Sequence, residues 1–191
     1  MDKDAIRKAL RQEGELKKPA EIEARVQEVF KSNQISDALA KIEAAGGKAE
    51  YRQSDVSKAK DFKALIKAVK KDYGHIDGVI HSAGILQDKF FADKTWKSFE
   101  QVYNTKVNPL QVIMDELKGE LKLLVLFSSV ASSYGNKGQI DYAAANSVFD
   151  VTAQSLRNKG DGRVMVSNWG PWKGAGMVSS SREGGSEKRG V

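Results

Sequence analysis

The chain has 191 residues, 40% of them hydrophobic and none of them Cys, which fits one domain with a modest core and excludes a disulfide framework or a thiolate metal site. No apolar run approaches a membrane span and Met1-Asp-Lys-Asp4 has no signal-peptide character, so a cytoplasmic address is expected. The formal charge of +6 fits anionic partners or a lysine-rich solvated surface, and its basic residues are scattered among acids, which argues against nucleic acid.

Residues 1–18 are charged, contain Gly14 and show no apolar period; a loose lead-in is expected there. Pro19 suits a first helical turn. Ile22, Val26, Val29 and Phe30 follow helical spacing, Ile35, Ala38, Leu39 and Ile42 repeat it, and Gly46-Gly47 ends it. Lys48 to Gln53 reads as a short strand. Phe62, Leu65, Ile66 and Val69 mark a helix ending at Gly74, and Gly78 to His81 a buried strand. Trp96, Phe99, Val102 and Tyr103 open a long helix that Pro109 should bend. Leu121 to Phe127 is the most strand-like run, a helix spans about Gln139 to Asn158, and Arg163 to Asn168 is a further strand. Ser179 to Val191 is a polar, glycine-containing tail, expected to be mobile. Strands alternating with helices predict an α/β fold with a parallel, doubly wound sheet.

The chemistry concentrates in Leu124-Val-Leu-Phe-Ser-Ser-Val-Ala-Ser132 and Tyr142-Ala-Ala-Ala-Asn146. A hydroxyl sits at a strand end, and a tyrosine and an amide four residues apart share one helix face. Such a set can hold a carbonyl oxygen and hand it a proton. Tyr142 is the candidate general acid; a phenol titrates near pH ~10, so a neighbouring cation is wanted. Ser129 would orient the carbonyl, and Ser128 competes for that role, although strand alternation sends it to the opposite face. Metal clusters, a Ser-His-Asp set and paired catalytic carboxylates are not recognisable. His81 reads as a satisfied strand-end residue and His75 as a turn residue.

Together with Gly78-Val-Ile-His-Ser-Ala-Gly84, Asp93-Lys-Thr95, Thr105-Lys-Val107, Gly138-Gln-Ile-Asp141 and Asn168-Trp-Gly-Pro-Trp172, these motifs resemble the ketoreductase domain of modular polyketide and polyunsaturated fatty acid synthases, a branch of the short-chain dehydrogenase/reductase superfamily. The resemblance runs from about Pro19 to Val178. Pro19-Ala-Glu-Ile-Glu23 and Ala38 to Gly46 look most like the polyunsaturated fatty acid version.

The resemblance implies reduction of a 3-oxoacyl group on an acyl carrier protein, with NADPH as hydride donor. The phosphorylated cofactor and the acidic, phosphopantetheine-bearing carrier would suit the positive charge. Other synthase domains, or a missing N-terminal segment, are the further partners implied. It makes Tyr142, Ser129, Lys106 and Asn146 the catalytic set, with Lys106 supplying the cation that the wider superfamily places four residues after the tyrosine. Asn146 would hold a water or the lysine in a relay. Asp55 and Val56 resemble the pair that contacts adenine; as plain sequence, Ser54, Asp55 and Ser57 equally suit a helix cap. Ser82, Ala83 and Gly84 would let the backbone approach the cofactor. Pro171 and Trp172 resemble the loop under the nicotinamide, or a plain strand-ending turn. Asp88, in Leu86-Gln-Asp88, resembles the substrate-orienting aspartate, although the family more often has Asp where Gln87 stands. Gln139 occupies the place where the opposite facial mode carries Trp.

Nothing before Gly46 resembles the family's first strand, glycine-rich turn or second strand. The expectation is therefore a partial Rossmann-like sheet lacking its first two strands and the pyrophosphate cradle, shortened after Val178 as well. A non-catalytic or vestigial fragment, needing a missing N-terminal half, is the alternative reading.

Overall fold

The computed structural model describes residues 2–13, 18–117, 119–159 and 163–172. The polar tail expected at 179–191 lies outside the described residues. The chain divides into two compact units, Met1–Gln53 and Ser54–Val191.

In the first unit, helix α1 (Lys3–Glu13) precedes helix α2 (Pro19–Ala44). The loose lead-in expected over residues 1–18 is thus corrected: most of it is helical. Asp2 starts α1 by accepting the Ala5 N–H at 2.7 Å, filling one of the donors a helix start leaves open. Ile6 and Leu10, one turn apart, pack on Ile22, Val26, Val29 and Phe30, with Ile6 and Val26 almost fully buried. The Arg7 guanidinium spans to both Glu23 oxygens at 2.9 and 3.3 Å. Beyond α2, Gly46 takes φ +83° and the Gly47 N–H returns to Ile42 O at 2.9 Å, ending the helix where the glycine pair predicted. The strand expected at Lys48–Gln53 does not form: those residues carry no regular structure. A strand is defined by its ladder, and no neighbouring strand of the described chain pairs with this segment.

The second unit holds helix α3 (Ala59–Tyr73), strand β1 (Gly78–His81), helix α4 (Trp96–Glu116), strand β2 (Leu123–Ser129), the short helix α5 (Ala131–Tyr134), helix α6 (Ile140–Lys159) and strand β3 (Arg163–Trp169). The strands form a parallel sheet in the order β1-β2-β3, with Val79 opposite Leu124 and Leu124 opposite Val164. Sequential parallel strands joined by helices make this an α/β, Rossmann-like sheet.

Burial along β2 alternates strictly, with Leu124, Leu126 and Ser128 inside. That face meets Ile66 of α3, Leu110, Val112 and Ile113 of α4, Leu117 at its C-cap, and Phe149, Ala153 and Leu156 of α6 in one core. Burying side chains of this size stabilises by roughly 1.5–3 kcal/mol each. Pro109 is fully buried within α4. On the other face of the sheet Ile80 is 65% and Met165 51% exposed. Parallel sheets are ordinarily covered on both faces; among the described residues of this unit, the helices pack on one.

β1 and β3 each have one unpaired edge among the described residues. An open edge beside an exposed apolar face invites intermolecular pairing. The isolated chain is therefore expected to elute above monomer mass in size-exclusion chromatography with light scattering. Replacing Ile80 and Met165 by Lys should shift it toward monomer. A parent chain that stays monomeric at tens of micromolar would show that this face is harmless.

Candidate active site

The three strands are parallel, so their C-terminal ends, His81, Ser129 and Trp169, open on one rim. Ligands of open α/β sheets bind along such a rim. Alternation along β2 decides between its two serines. Ser128 is 3% exposed and donates to Asn146 O at 3.3 Å. Ser129 is half-buried on the other face; its Oγ accepts the Ala131 N–H at 3.2 Å, which leaves its own O–H free to donate.

Tyr142 lies in the first turns of α6, with Asn146 one turn on. The Asn146 amide donates to Tyr142 O at 2.7 Å, while its Oδ1, buried in a residue 0% exposed, has no partner. A buried acceptor left open in this way suits a water, a hydroxyl or an ammonium. Burial pushes the Tyr142 phenol above its ordinary range; hydrogen bonds with Asn146 and Ser129 pull it back, and Asp88 adds to the rise. Lys106 is not among the groups that shift it.

Lys106 is 2% exposed. Its ammonium donates to Phe127 O at 2.8 Å and lies 5.6 Å from the Tyr142 ring centre and 4.6 Å from that of Phe149, within cation–π range. Burial lowers its pKa to about 8, so it is poised to exchange a proton near neutral pH. It bonds a strand carbonyl and not Asn146. The imidazole of His81 meets Lys106 O at 2.9 Å and tilts against Phe149 at 4.9 Å. His81 is a satisfied strand-end residue, as its position suggested.

Of the residues with proposed cofactor roles, five continue directly from strand ends on this rim. Ser82, Ala83 and Gly84 follow β1 without regular structure. Pro171 and Trp172 follow β3, the Trp172 ring edge-on to Trp169 at 4.8 Å. Asp55 accepts from Ser57 N and Oγ, and these bonds, with Lys58, hold its carboxyl below the usual range. It caps a turn before α3 and not the helix itself, whose N-cap is Lys58. Val56 sits in the same turn, which Asn108 of α4 ties down through Ser57 O at 2.8 Å.

The segment 85–95, called the strap below, runs beside the start of α6. Gln139 donates to Asp88 Oδ2 at 2.9 Å, joining the two residues expected to orient substrate. Lys89 N–H bonds Gly138 O at 3.0 Å; Gly138 has φ +81°, a conformation that favours glycine. A cavity of about 480 Å³ lined by Asp88, Lys89, Phe90, Asp93, Lys137 and Gly138 opens here. Two residues quoted only inside motifs, Lys94 and Asp141, are also brought together, at 2.6 Å. They are 47 positions apart, and the sequence carried no signal that they pair. A further knot missed by sequence reasoning joins Ser132 and Asn168 to Asp150 Oδ2, fixing the C-terminal end of β3 against α6.

A strand-end hydroxyl, a helical phenol and a buried ammonium are thus gathered on one rim of a Rossmann-like sheet. Residues 22–174 match the KR domain family model, and the chain belongs to that family. It is 38% identical over 93% of its length to a polyunsaturated fatty acid synthase of a Thraustochytrium species. It is 36% identical over 76% to polyketide synthase PksN of Bacillus subtilis. It spans 7% and 3% of those two proteins. Among solved structures, it resembles an N-terminal ketoreductase from the macrolactin assembly line (37% identity, TM-score 0.66, 73% of this chain and 29% of that one). A ketoreductase domain from the bacillaene assembly line is similar to it as well (34% identity, TM-score 0.69, 77% and 37%).

The buried basic groups predict the pH dependence of stability. Burial holds the His81 imidazole down to about 4, against 6.5 ordinarily. The unfolded chain therefore binds a proton that the folded one refuses between these values, and stability is lost as pH falls from 6.5 toward 4, by up to about 3 kcal/mol. Lys106 has the same sign in another window: stability rises as pH climbs from about 8 to 10.5. Urea midpoints across pH should show His81→Gln removing the acid-side loss and Lys106→Met removing the alkaline-side gain. Variants with the parent's pH slope would contradict this burial.

Proposed function

We propose that the site reduces a 3-oxoacyl group carried on an acyl carrier protein to the 3-hydroxyacyl product, as part of polyketide or fatty acid synthesis, with NADPH as reductant. The observation that carries the reading is the placing of the Lys106 ammonium 5.6 Å from the Tyr142 ring centre, with Ser129 and Asn146 close enough to lower the phenol's pKa. The nicotinamide end of NADPH suits the residues present: Ser82, Ala83, Gly84, Pro171 and Trp172 border the rim, and the open Asn146 Oδ1 and the Lys106 ammonium offer an acceptor and a donor within it. Bound there, the cofactor supplies hydride. Ser129 and Tyr142 donate hydrogen bonds to the carbonyl oxygen as negative charge develops on it, Tyr142 gives up its proton, and Lys106, with its lowered pKa, reprotonates the phenolate through a group held at Asn146 Oδ1.

The second reading is a non-catalytic piece. It is favoured, for the chain on its own, by the absence of any Gly-x-Gly-x-x-Gly. A glycine turn at a helix start supplies the donors that hold a pyrophosphate, and near-attack geometry needs the whole cofactor in place. The chain alone is therefore expected to bind NADPH feebly, and binding should appear once it is complemented by a segment bearing a strand, glycine-rich turn, helix and second strand. Fluorescence titration of NADPH measures both; micromolar binding by the unaided chain would overturn this view.

In the complemented enzyme, Tyr142→Phe should abolish reduction of a 3-oxoacyl thioester and leave NADPH affinity within about threefold, because the phenol supplies a proton and little binding. Turnover within a few-fold of the parent would sink the assignment. The Asp88–Gln139 pairing, with no Trp at 139, favours the D-3-hydroxyacyl product; chiral chromatography showing mainly the L product would refute it.

A further inference from the structure

We infer that the ion pair between Lys94 and Asp141 is the clamp that seats Tyr142, which makes both residues positioning residues for the reaction proposed above. Asp141 immediately precedes Tyr142 in the first turn of α6, where backbone N–H groups have no partner within the helix. Its Oδ1 accepts the Tyr142 N–H at 2.9 Å. Its Oδ2 accepts from the Lys94 ammonium at 2.6 Å, and the two side chains are 2% and 4% exposed. Lys94 reaches back with a second bond to Gln87 O at 2.9 Å. One carboxylate therefore fastens the catalytic turn with one oxygen and the substrate-side strap with the other.

The bonds around it run in the same direction. Asp88 and Lys89 of the strap contact Gln139 and Gly138, so three strap residues engage three of the four residues before Tyr142. The strap is held from its far side as well. Ser98 Oγ donates to Gln87 Oε1 at 2.8 Å, Gln87 donates to Gln101 at 2.8 Å, and Thr95 caps α4 through Ser98 N–H. The strap is thus a bridge from α4, which carries Lys106, to α6, which carries Tyr142. The clamp closes that bridge in a place that water barely reaches. A surface pair would contribute almost nothing to such positioning; a buried, fully hydrogen-bonded one fixes register, because either charge left alone would be severely destabilised.

Two measurements test this separately from the reductase reading, on which the catalytic half of it rests. In the full 191-residue chain, amide exchange by NMR should rise about tenfold or more at Tyr142 and Lys89 in Lys94→Met, the loss expected for hydrogen bonds organised by a charged group. Amides of Leu124 to Phe127 should be unchanged. Asp141→Asn keeps the acceptor for Tyr142 N–H and guards against a variant that fails to fold: it should speed Lys89 more than Tyr142. Unchanged exchange at both positions in both variants overturns the clamp, and so does a uniform rise that includes β2.

In the complemented enzyme, Lys94→Met should lower kcat by about 10- to 100-fold, the scale of a misplacement near 1 Å, with KM changed less than about threefold and more of the minor 3-hydroxy enantiomer. Lys94→Arg should recover kcat to within about threefold of the parent, since it keeps the buried charge. A lower melting temperature with parental kcat and parental enantiomer ratio would reduce the pair to a structural brace and overturn the inference. A parent enzyme that reduces nothing, alongside the predicted exchange pattern, would sink the reductase reading and leave the clamp standing.

Discussion

Everything at the rim is organised about the buried ammonium of Lys106. A charge almost removed from water survives only if its surroundings replace the lost hydration. Here a strand carbonyl, Phe127 O, and the rings of Tyr142 and Phe149 do so. These neighbours come from β2 and α6, while Lys106 belongs to α4 and its own carbonyl meets His81 of β1. One residue thus ties four elements at the level where the strands end. The desolvation that lowers its pKa to about 8 is a destabilising contribution to the fold, offset by the surrounding core of α4, α6 and β2. Functional sites commonly carry such strain.

The sequence made the sheet legible where burial, and not local propensity, decides. Gly78–His81 and Arg163–Trp169 lie where the short apolar runs put them, although β1, expected to be buried, keeps only His81 inside and leaves Ile80 exposed. Alternation along β2 separates Ser129 from Ser128 on pattern alone. Lys48–Gln53 failed for the converse reason: its residues permit extension, but a strand exists only with a partner. The helix over Lys3–Glu13 was hidden because only Ile6 and Leu10 mark its apolar stripe, and their value comes from α2, which buries them. Its start signal, Asp2 ahead of Ala5, was present and outweighed by the density of charge.

The site was half legible for a comparable reason. Tyr142, Asn146 and Ser129 announce themselves through short-range spacing on a helix and a strand end. What orients them does not. The Lys94–Asp141 contact joins residues 47 apart and, read linearly, is one lysine among many and an acidic residue in a first turn, where acids are common. Lys106 could be picked out by motif alone; that its ammonium faces Phe127 O and not Asn146 follows from the depth of α4 against β2. The phenol pKa likewise depends on burial, which no spacing reveals.

The open face of the sheet and the closed architecture of the rim point to a division of labour. The groups that would handle a carbonyl are gathered on α4, α6, β2 and the strap, and each is fixed by contacts within residues 54–172. Nothing in that set needs the uncovered face where Ile80 and Met165 are exposed. In the reading proposed above, proton delivery and carbonyl orientation are encoded locally, while no glycine-rich turn that could grip a dinucleotide's phosphates opens any helix among the described residues. Catalysis requires both, because a preformed acid is effective only when the hydride source is held in line with it.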